Sequence, residues 1–359
     1  MSFKLENIVR PNVLAMEPYS SARDEYEGTE GVFLDANENP FPSAVNRYPD
    51  PYQRQLKAEI ARVKGVRENQ LLIGNGSDEV LDLLFRAFCT PSQDKVVTIK
   101  PSYGMYKVLA QTNDVNLIEV ALDANFNLDA ESVLFSAKDA KMIILCSPNN
   151  PTGNLLNRNE ISKILNEFNG IVAIDEAYID FSNGKTFLQE LTNHQNLVVI
   201  QTLSKAYGMA GIRVGIGFAS TEIIDVLNKI KPPYNVNSVS QSFALARLKD
   251  MEKVTEEVMQ ILLERSRVLE VLMQTTWVEK IFRTDANFIL FKVPNADKLY
   301  AYFAKNGVVV RNRSKQYNCE NCLRVTIGTH EENERFITVL KAFKNPPLQG
   351  GSREDMPQN

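Results

Sequence analysis

Four short stretches of the chain carry side chains whose types and spacing could do chemistry. Thr202-Leu203-Ser204-Lys205 ends an apolar run, and Arg213 follows shortly after. A lysine at a strand end, stripped of water, is a neutral amine able to form a Schiff base, and two hydroxyls with a guanidinium suit a phosphate dianion. Upstream, Ile174 leads into Asp175-Glu176-Ala177-Tyr178. A carboxylate is costly to bury without a partner, so Asp175 is expected to face a cation or a protonated ring nitrogen. Ser147-Pro148-Asn149-Asn150-Pro151-Thr152-Gly153 reads as a rigid turn whose amide side chains can donate hydrogen bonds. Finally, Leu71-Leu72-Ile73 runs into Gly74-Asn75-Gly76-Ser77-Asp78, where small residues ahead of a helix let backbone N–H groups hold a phosphate.

Each stretch has a plainer alternative. Ser77 or Asp78 could simply cap a helix, the Pro-Asn turn could bind nothing, Asp175 could ligate a metal, and Lys205 could be a surface lysine or half of a hydrolytic dyad with Ser204. The dyad is disfavoured because adjacent loop side chains diverge and no elbow glycines flank Ser204. The conjunction is what discriminates. Phosphate donors, an acid for a ring nitrogen and a Schiff-base lysine are what pyridoxal phosphate requires of a protein.

The elements that would position these groups are legible as alternation. Runs at Val96–Ile99, Met142–Leu145, Ile171–Ile174, Leu197–Ile200 and Val214–Gly217 read as buried strands, with helical segments between most of them, including 77–88 and 157–168. That pattern is βαβ, an α/β domain with a mostly parallel sheet covered on both faces. Beyond Pro232-Pro233, Val254, Val258, Ile261, Leu262, Leu269 and Leu272 recur at helical spacing and predict a long helix leading to a smaller α+β domain. Strands are expected there at 287–293, 308–310 and 324–327, with helices near 296–305 and 331–344. The expected divisions are an arm over 1–28 joining the small domain, a large domain over 29–250, the small domain over 251–346 and a disordered tail over 347–359, which is rich in Pro, Gly and polar residues.

Composition excludes other classes. Of the 359 residues 44% are hydrophobic and 23% charged, so the chain is neither disordered nor a low-complexity repeat. The net charge is −4 and no Lys/Arg stripe stands out, which argues against nucleic acid and acidic membrane as partners and for a small molecule. No apolar run approaches the ~20 residues that span a bilayer, nor does the N-terminus read as a signal peptide, so the cytoplasm is expected. With two histidines in all, no metal site is expected; Cys319-x-x-Cys322 has ligand or redox spacing but reads more simply as a surface-loop pair.

The motifs SPNNPTG (147–153), DEAY (175–178) and TLSKAYGMAGIRVG (202–215) resemble the class I and II aminotransferases of PLP fold type I. PYSSARDEY (18–26), LDANENPFP (34–42), RYPDP (47–51), GNGSDE (74–79) and PSYGMY (101–106) resemble the histidinol-phosphate aminotransferase family more closely. The resemblance covers nearly the whole chain except the tail. It implies that Lys205 bonds the cofactor and moves the substrate's proton, that Asp175 pairs with the pyridine nitrogen, and that Asn150 and Tyr178 reach the phenolic oxygen, with Tyr103 stacked on the ring. Gly76, Ser77, Asp78, Thr202, Ser204 and Arg213 would hold the phosphate. Arg324 and its companion Arg311 would hold substrate anions, Tyr19 and Asn37 would line the pocket, and Tyr48 would reach the cofactor phosphate of a partner subunit, making a homodimer. The loop 311–324 looks longer than the family's, and Arg313 competes with Arg311. The implied reaction exchanges an amino group between histidinol phosphate and 2-oxoglutarate, within histidine biosynthesis. Rivals are an aromatic or broad-specificity aminotransferase, a threonine-phosphate decarboxylase, or a regulatory module of the same fold without turnover.

Overall fold

The computed structural model describes residues 3–18 and 31–343. Tyr19, most of the PYSSARDEY motif and the tail lie outside them. Seven strands build the larger sheet: β1 (Leu71–Asn75), β2 (Lys95–Lys100), β3 (Asn116–Ala121), β4 (Met142–Cys146), β5 (Ile171–Asp175), β6 (Leu197–Thr202) and β7 (Val214–Phe218), in the order β1-β7-β6-β5-β4-β2-β3. The pairs β6/β5, β5/β4, β4/β2 and β2/β3 are parallel, whereas β7 runs antiparallel to both β1 and β6. The mostly parallel sheet expected from the sequence is therefore present, with one reversed strand inside it.

Strand residues alternate between two cores because successive side chains leave a strand on opposite faces. Ile143 and Leu145 of β4, Val172 and Ile174 of β5 and Leu197 and Val199 of β6 enter one core. Met142, Ile144 and Cys146, Ile171 and Ala173, and Val198 and Ile200 enter the other. A strand buried on both faces must be apolar throughout, which is why β4 to β7 appear as unbroken apolar runs. The edge strand β3, by contrast, is half exposed and carries Asn116 and Glu119, so its sequence gives no such run.

A second, four-stranded antiparallel sheet contains β8 (Lys280–Ile281), β9 (Phe288–Lys292), β10 (Arg311–Asn312) and β11 (Cys322–Thr326), ordered β10-β11-β9-β8. The helices Ala296–Lys305 and His330–Ala342 supply Leu299, Phe303, Phe336 and Leu340 to its core. The helix Met251–Gln274 serves both cores: Val254 packs with the larger sheet, Val268 and Leu272 with the smaller.

Three expectations need correction. Residues 308–310 are not a strand: Val310 is buried as a packing lead-in while Val309 is almost fully exposed, and ladder pairing begins only at Arg311. The described part of the N-terminal arm lies on the larger sheet's layer and not on the small domain. Val9 and Val13 bury their side chains among residues of the helices Ser77–Phe88 and Thr221–Ile230, and Arg10 N–H donates to the Ala87 carbonyl at 2.9 Å. Cys319 and Cys322, expected at the surface, are both fully buried free thiols, packed where the β10–β11 loop folds onto the larger core.

Candidate active site

The carboxyl ends of β1, β4, β5 and β6 share one edge of the larger sheet, the usual ligand-binding edge of open α/β sheets. Because β7 is reversed, its start lies on that edge too, and it carries Arg213 there. Arg213 adopts left-handed backbone (φ +54°), and its carbonyl accepts from Gly76 N–H at 2.8 Å, tying the turn after β1 to the start of β7. Gly215 makes this approach possible, since a Cβ there would collide with the backbone of Gly76 and Ser77. The helix Ser77–Phe88 thus begins at the cleft, and no side chain caps it. Its first N–H groups remain available to an anion.

Around that helix start, Arg213 Nη1 reaches Ser204 Oγ at 3.4 Å and Arg213 Nη2 lies 3.6 Å from Asp78 Oδ2. Tyr103 donates to the other oxygen of Asp78 at 3.2 Å. Thr202 Oγ1 accepts from Ser204 N–H at 3.1 Å, fixing the turn that leads to Lys205. These groups form one end of a cleft whose walls also include Asn150, Asp175, Tyr178 and Lys205.

Asp175 ends β5, opposite Cys146 of β4, and is 3% exposed. Its Oδ2 accepts from Tyr106 Oη at 2.7 Å and its Oδ1 from Ala177 N–H at 3.1 Å. Burial still dominates these donors and pushes the carboxyl up to about 6. Such a group gains most from a cationic ring N–H, which completes its hydrogen bonds and restores its charge. Lys205 extends toward the ring of Tyr178, its Nζ 5.6 Å from the centroid. Burial first, then the positive charge of Arg324, holds its amine below the ordinary lysine range, with Asp175 opposing. A neutral, nucleophilic amine is favoured accordingly.

Asn150 donates through Nδ2 to Tyr178 Oη at 3.3 Å and accepts through Oδ1 from Arg324 Nη1 at 2.5 Å. Asn149 is spent on its own loop and on the turn after β2, donating to Thr152 Oγ1 and the Pro101 carbonyl, so Asn150 is the amide that faces the cleft. Arg324 stacks over Phe288 with Cζ 4.9 Å from the ring centroid, and burial together with Arg313 and Arg311 lowers it to about 10. Arg311 stands directly opposite Arg324 in the β10–β11 ladder and is exposed, whereas Arg313 is partly buried with its Nε lacking a protein partner. Arg324 Nε also lacks one. Three guanidinium groups thus gather beside the cleft wall at Asn150 and Tyr178, a positive cluster that suits an anionic substrate.

Among the expected site residues, Asn37 and Tyr48 do not line the cleft. Asn37 is exposed with φ +53°, and Tyr48 stacks on Tyr234 with centroids 4.5 Å apart. Glu38 pins this segment by accepting from Arg47 Nη1 at 2.7 Å and from Tyr48 N–H at 2.6 Å. Sequence reasoning missed Tyr106 and Cys146. Tyr106 was visible only as the second tyrosine of PSYGMY, and Cys146 only as the last residue of an apolar strand.

The donor set fits pyridoxal phosphate: an open helix terminus and Arg213 for a phosphate, a buried acid for a ring nitrogen, and a depressed lysine between them. Among the described residues, no helix is long and apolar enough to cross a membrane, and no group of three or more His, Cys, Asp or Glu is placed to hold a metal ion.

Comparison with known proteins agrees with this geometry. Residues 35–340 match the family model described as aminotransferase class I and II. The histidinol-phosphate aminotransferase of Parabacteroides distasonis is 54% identical over 95% of this chain and 99% of its own. That of Flavobacterium johnsoniae is 52% identical with the same coverage. Among solved structures, the histidinol-phosphate aminotransferase from Clostridium acetobutylicum superposes with a TM-score of 0.77 at 28% identity, covering 83% of this chain and 90% of that one. A lysine, an acid and a phosphate cradle at one sheet edge, set in a chain that matches these relatives almost end to end, place it among the class I and II aminotransferases, in the histidinol-phosphate aminotransferase family.

Proposed function

We propose that the chain catalyses reversible transfer of an amino group from histidinol phosphate to 2-oxoglutarate, giving imidazole-acetol phosphate and glutamate, in histidine biosynthesis in the cytoplasm. The observation that carries this reading is the near full-length identity of about half to relatives of that name, joined to a guanidinium cluster of Arg311, Arg313 and Arg324 beside the cleft wall. Pyridoxal phosphate, when bound, supplies a carbonyl that condenses with amines and a ring that withdraws electrons. Ser77 and Asp78 N–H groups, with Gly76 in the turn before them, Thr202, Ser204 and Arg213 would hold its phosphate. Tyr103 would stand beside the ring, and Asn150 and Tyr178 would serve its phenolic oxygen. Asp175 would pair with the pyridine nitrogen. Lys205 would bond the cofactor and move the proton of the substrate α-carbon. Arg324 would grip a substrate anion, with Arg311 or Arg313 as its companion.

The large domain is taken as 29–250 and the small as 251–346. A homodimer is part of the reading, supported by the exposed segment 32–41, where Val32, Leu34 and Phe41 are 89%, 84% and 76% exposed. Apolar side chains that open to water on one segment suit a protein interface. Tyr48, shortly after that segment, would reach the partner's cofactor phosphate.

Adding histidinol phosphate alone to purified enzyme tests the reaction. One equivalent of imidazole-acetol phosphate per cofactor is expected, with glutamate appearing only once 2-oxoglutarate is supplied. Equal conversion of phenylalanine would make this a broad aminotransferase, and carbon dioxide released from threonine phosphate would make it a decarboxylase.

A further inference from the structure

Among the described residues, Tyr106 is the fully buried phenol whose hydroxyl touches the acid of the cleft. It lies in the first turn of the helix Met105–Thr112, 1% exposed, with its ring edge-on to Tyr103 at 5.6 Å between centroids. A phenylalanine would fill that apolar site equally well, and burying a hydroxyl is unfavourable unless it is hydrogen-bonded. Here the bond is short, 2.7 Å to Asp175 Oδ2, and it is charge-assisted when Asp175 is ionised. Ala177 N–H holds the other oxygen at 3.1 Å, so the carboxylate is gripped from both sides and cannot rotate. The groups facing Asp175 from neighbouring elements are Tyr106, Cys146 of β4, Asp78 at the start of the helix Ser77–Phe88, Tyr103, Tyr178, and Lys205 after β6. Of these, Tyr106 is the side chain that donates directly to the carboxylate. Burial raises its own hydroxyl well above the tyrosine range, so it stays a donor throughout the working pH range.

We propose that Tyr106 is a positioning residue which, through Asp175, sets how far the proton on the cofactor's ring nitrogen is shared with that carboxylate. Each donor to an anionic oxygen draws off part of its negative charge and makes it a weaker base. With Tyr106 in place, Asp175 leaves the proton mostly on the ring and the ring strongly electron-withdrawing. Without the hydroxyl, Asp175 becomes more basic, the proton moves toward it, and the ring withdraws less.

The inference rests on the reading of Asp175 as partner of the ring nitrogen, and the test separates the two. Holoenzyme is titrated with pH by following the visible absorption of the bound cofactor, for the wild type, Tyr106→Phe, Asp175→Asn, and a variant carrying 3-fluorotyrosine at position 106. A less electron-withdrawing ring raises the titration midpoint. Tyr106→Phe should raise it by about half a pH unit or more, with kcat falling about threefold or more while KM and cofactor content change little. The fluorinated phenol, a stronger donor that keeps the hydroxyl in place, should lower the midpoint, and it answers the question even if the Phe variant loses cofactor. Should Asp175→Asn shift the midpoint while both Tyr106 variants titrate like wild type, the inference falls and the reading of Asp175 stands. If Asp175→Asn leaves the midpoint unchanged, both fall together.

Discussion

Lys205 sits where burial and the nearby charges of Arg324 and Arg213 lower its pKa below the ordinary lysine value. Lys205→Ala should lower turnover by ~10³-fold or more while the phosphate cradle still binds cofactor noncovalently, and a small primary amine added to the solution should restore part of the rate. Retained activity in that variant would remove Lys205 from proton transfer. Asp175 makes a different prediction, about the protein without cofactor. Its carboxyl titrates near 6 in the fold against about 3.9 in an unfolded chain. A pKa raised by folding stabilises the fold below the unfolded value, and that contribution is lost as pH rises through the folded one. Between pH 4 and 7 the cofactor-free protein should therefore lose about 2 kcal/mol through this residue, and Asp175→Asn should flatten that part of the stability profile. Thermal melts of both proteins across pH check this; parallel curves would assign the slope to other groups.

At the scale of elements, the close crossing of β7 over the turn after β1 is the least forgiving contact. Gly215→Ala would press a methyl into the backbone of Gly76 and Ser77 and push the helix start out of the cleft. A loss of about 2–4 kcal/mol is expected in urea unfolding, accompanied by weaker cofactor retention; unchanged binding would mean that the helix start does not hold the phosphate. Gly215 belongs to a motif read in the sequence, yet its reason is a contact between segments far apart in the chain, which no local pattern encodes. The same division runs through the fold. Strands buried on both faces could be read from their apolar runs, and the helix Ser77–Phe88 from its periodicity. What could not be read depended on partners: β3 is an edge strand with polar residues, 308–310 has no ladder neighbour, and the N-terminal arm uses two valines that would suit either domain equally. In the site, Lys205, Asp175 and Asn150 were legible because their chemistry is unusual at strand ends, whereas Tyr106 looks like core until its hydroxyl is seen on Asp175.

The whole molecule adds a prediction about assembly. If Tyr48 acts across a dimer, a Lys205→Ala subunit paired with a Tyr48→Ala subunit contains one complete site. Random mixing of the two weakly active variants should restore about a quarter of wild-type activity. No recovery after subunit exchange has been verified would place Tyr48 outside the partner's site. Along the chain, the helix Met251–Gln274 is about 36 Å of continuous structure that lends one end to the larger core and the other to the smaller. A shared beam of this kind couples the fates of what it joins, because neither core can come apart without surrendering side chains that the other needs. Heat should accordingly dismantle both sheets in one cooperative step, seen as a single calorimetric peak in place of two. A lesion buried deep in the smaller sheet would then surface as a general loss of the folded enzyme, its cofactor included.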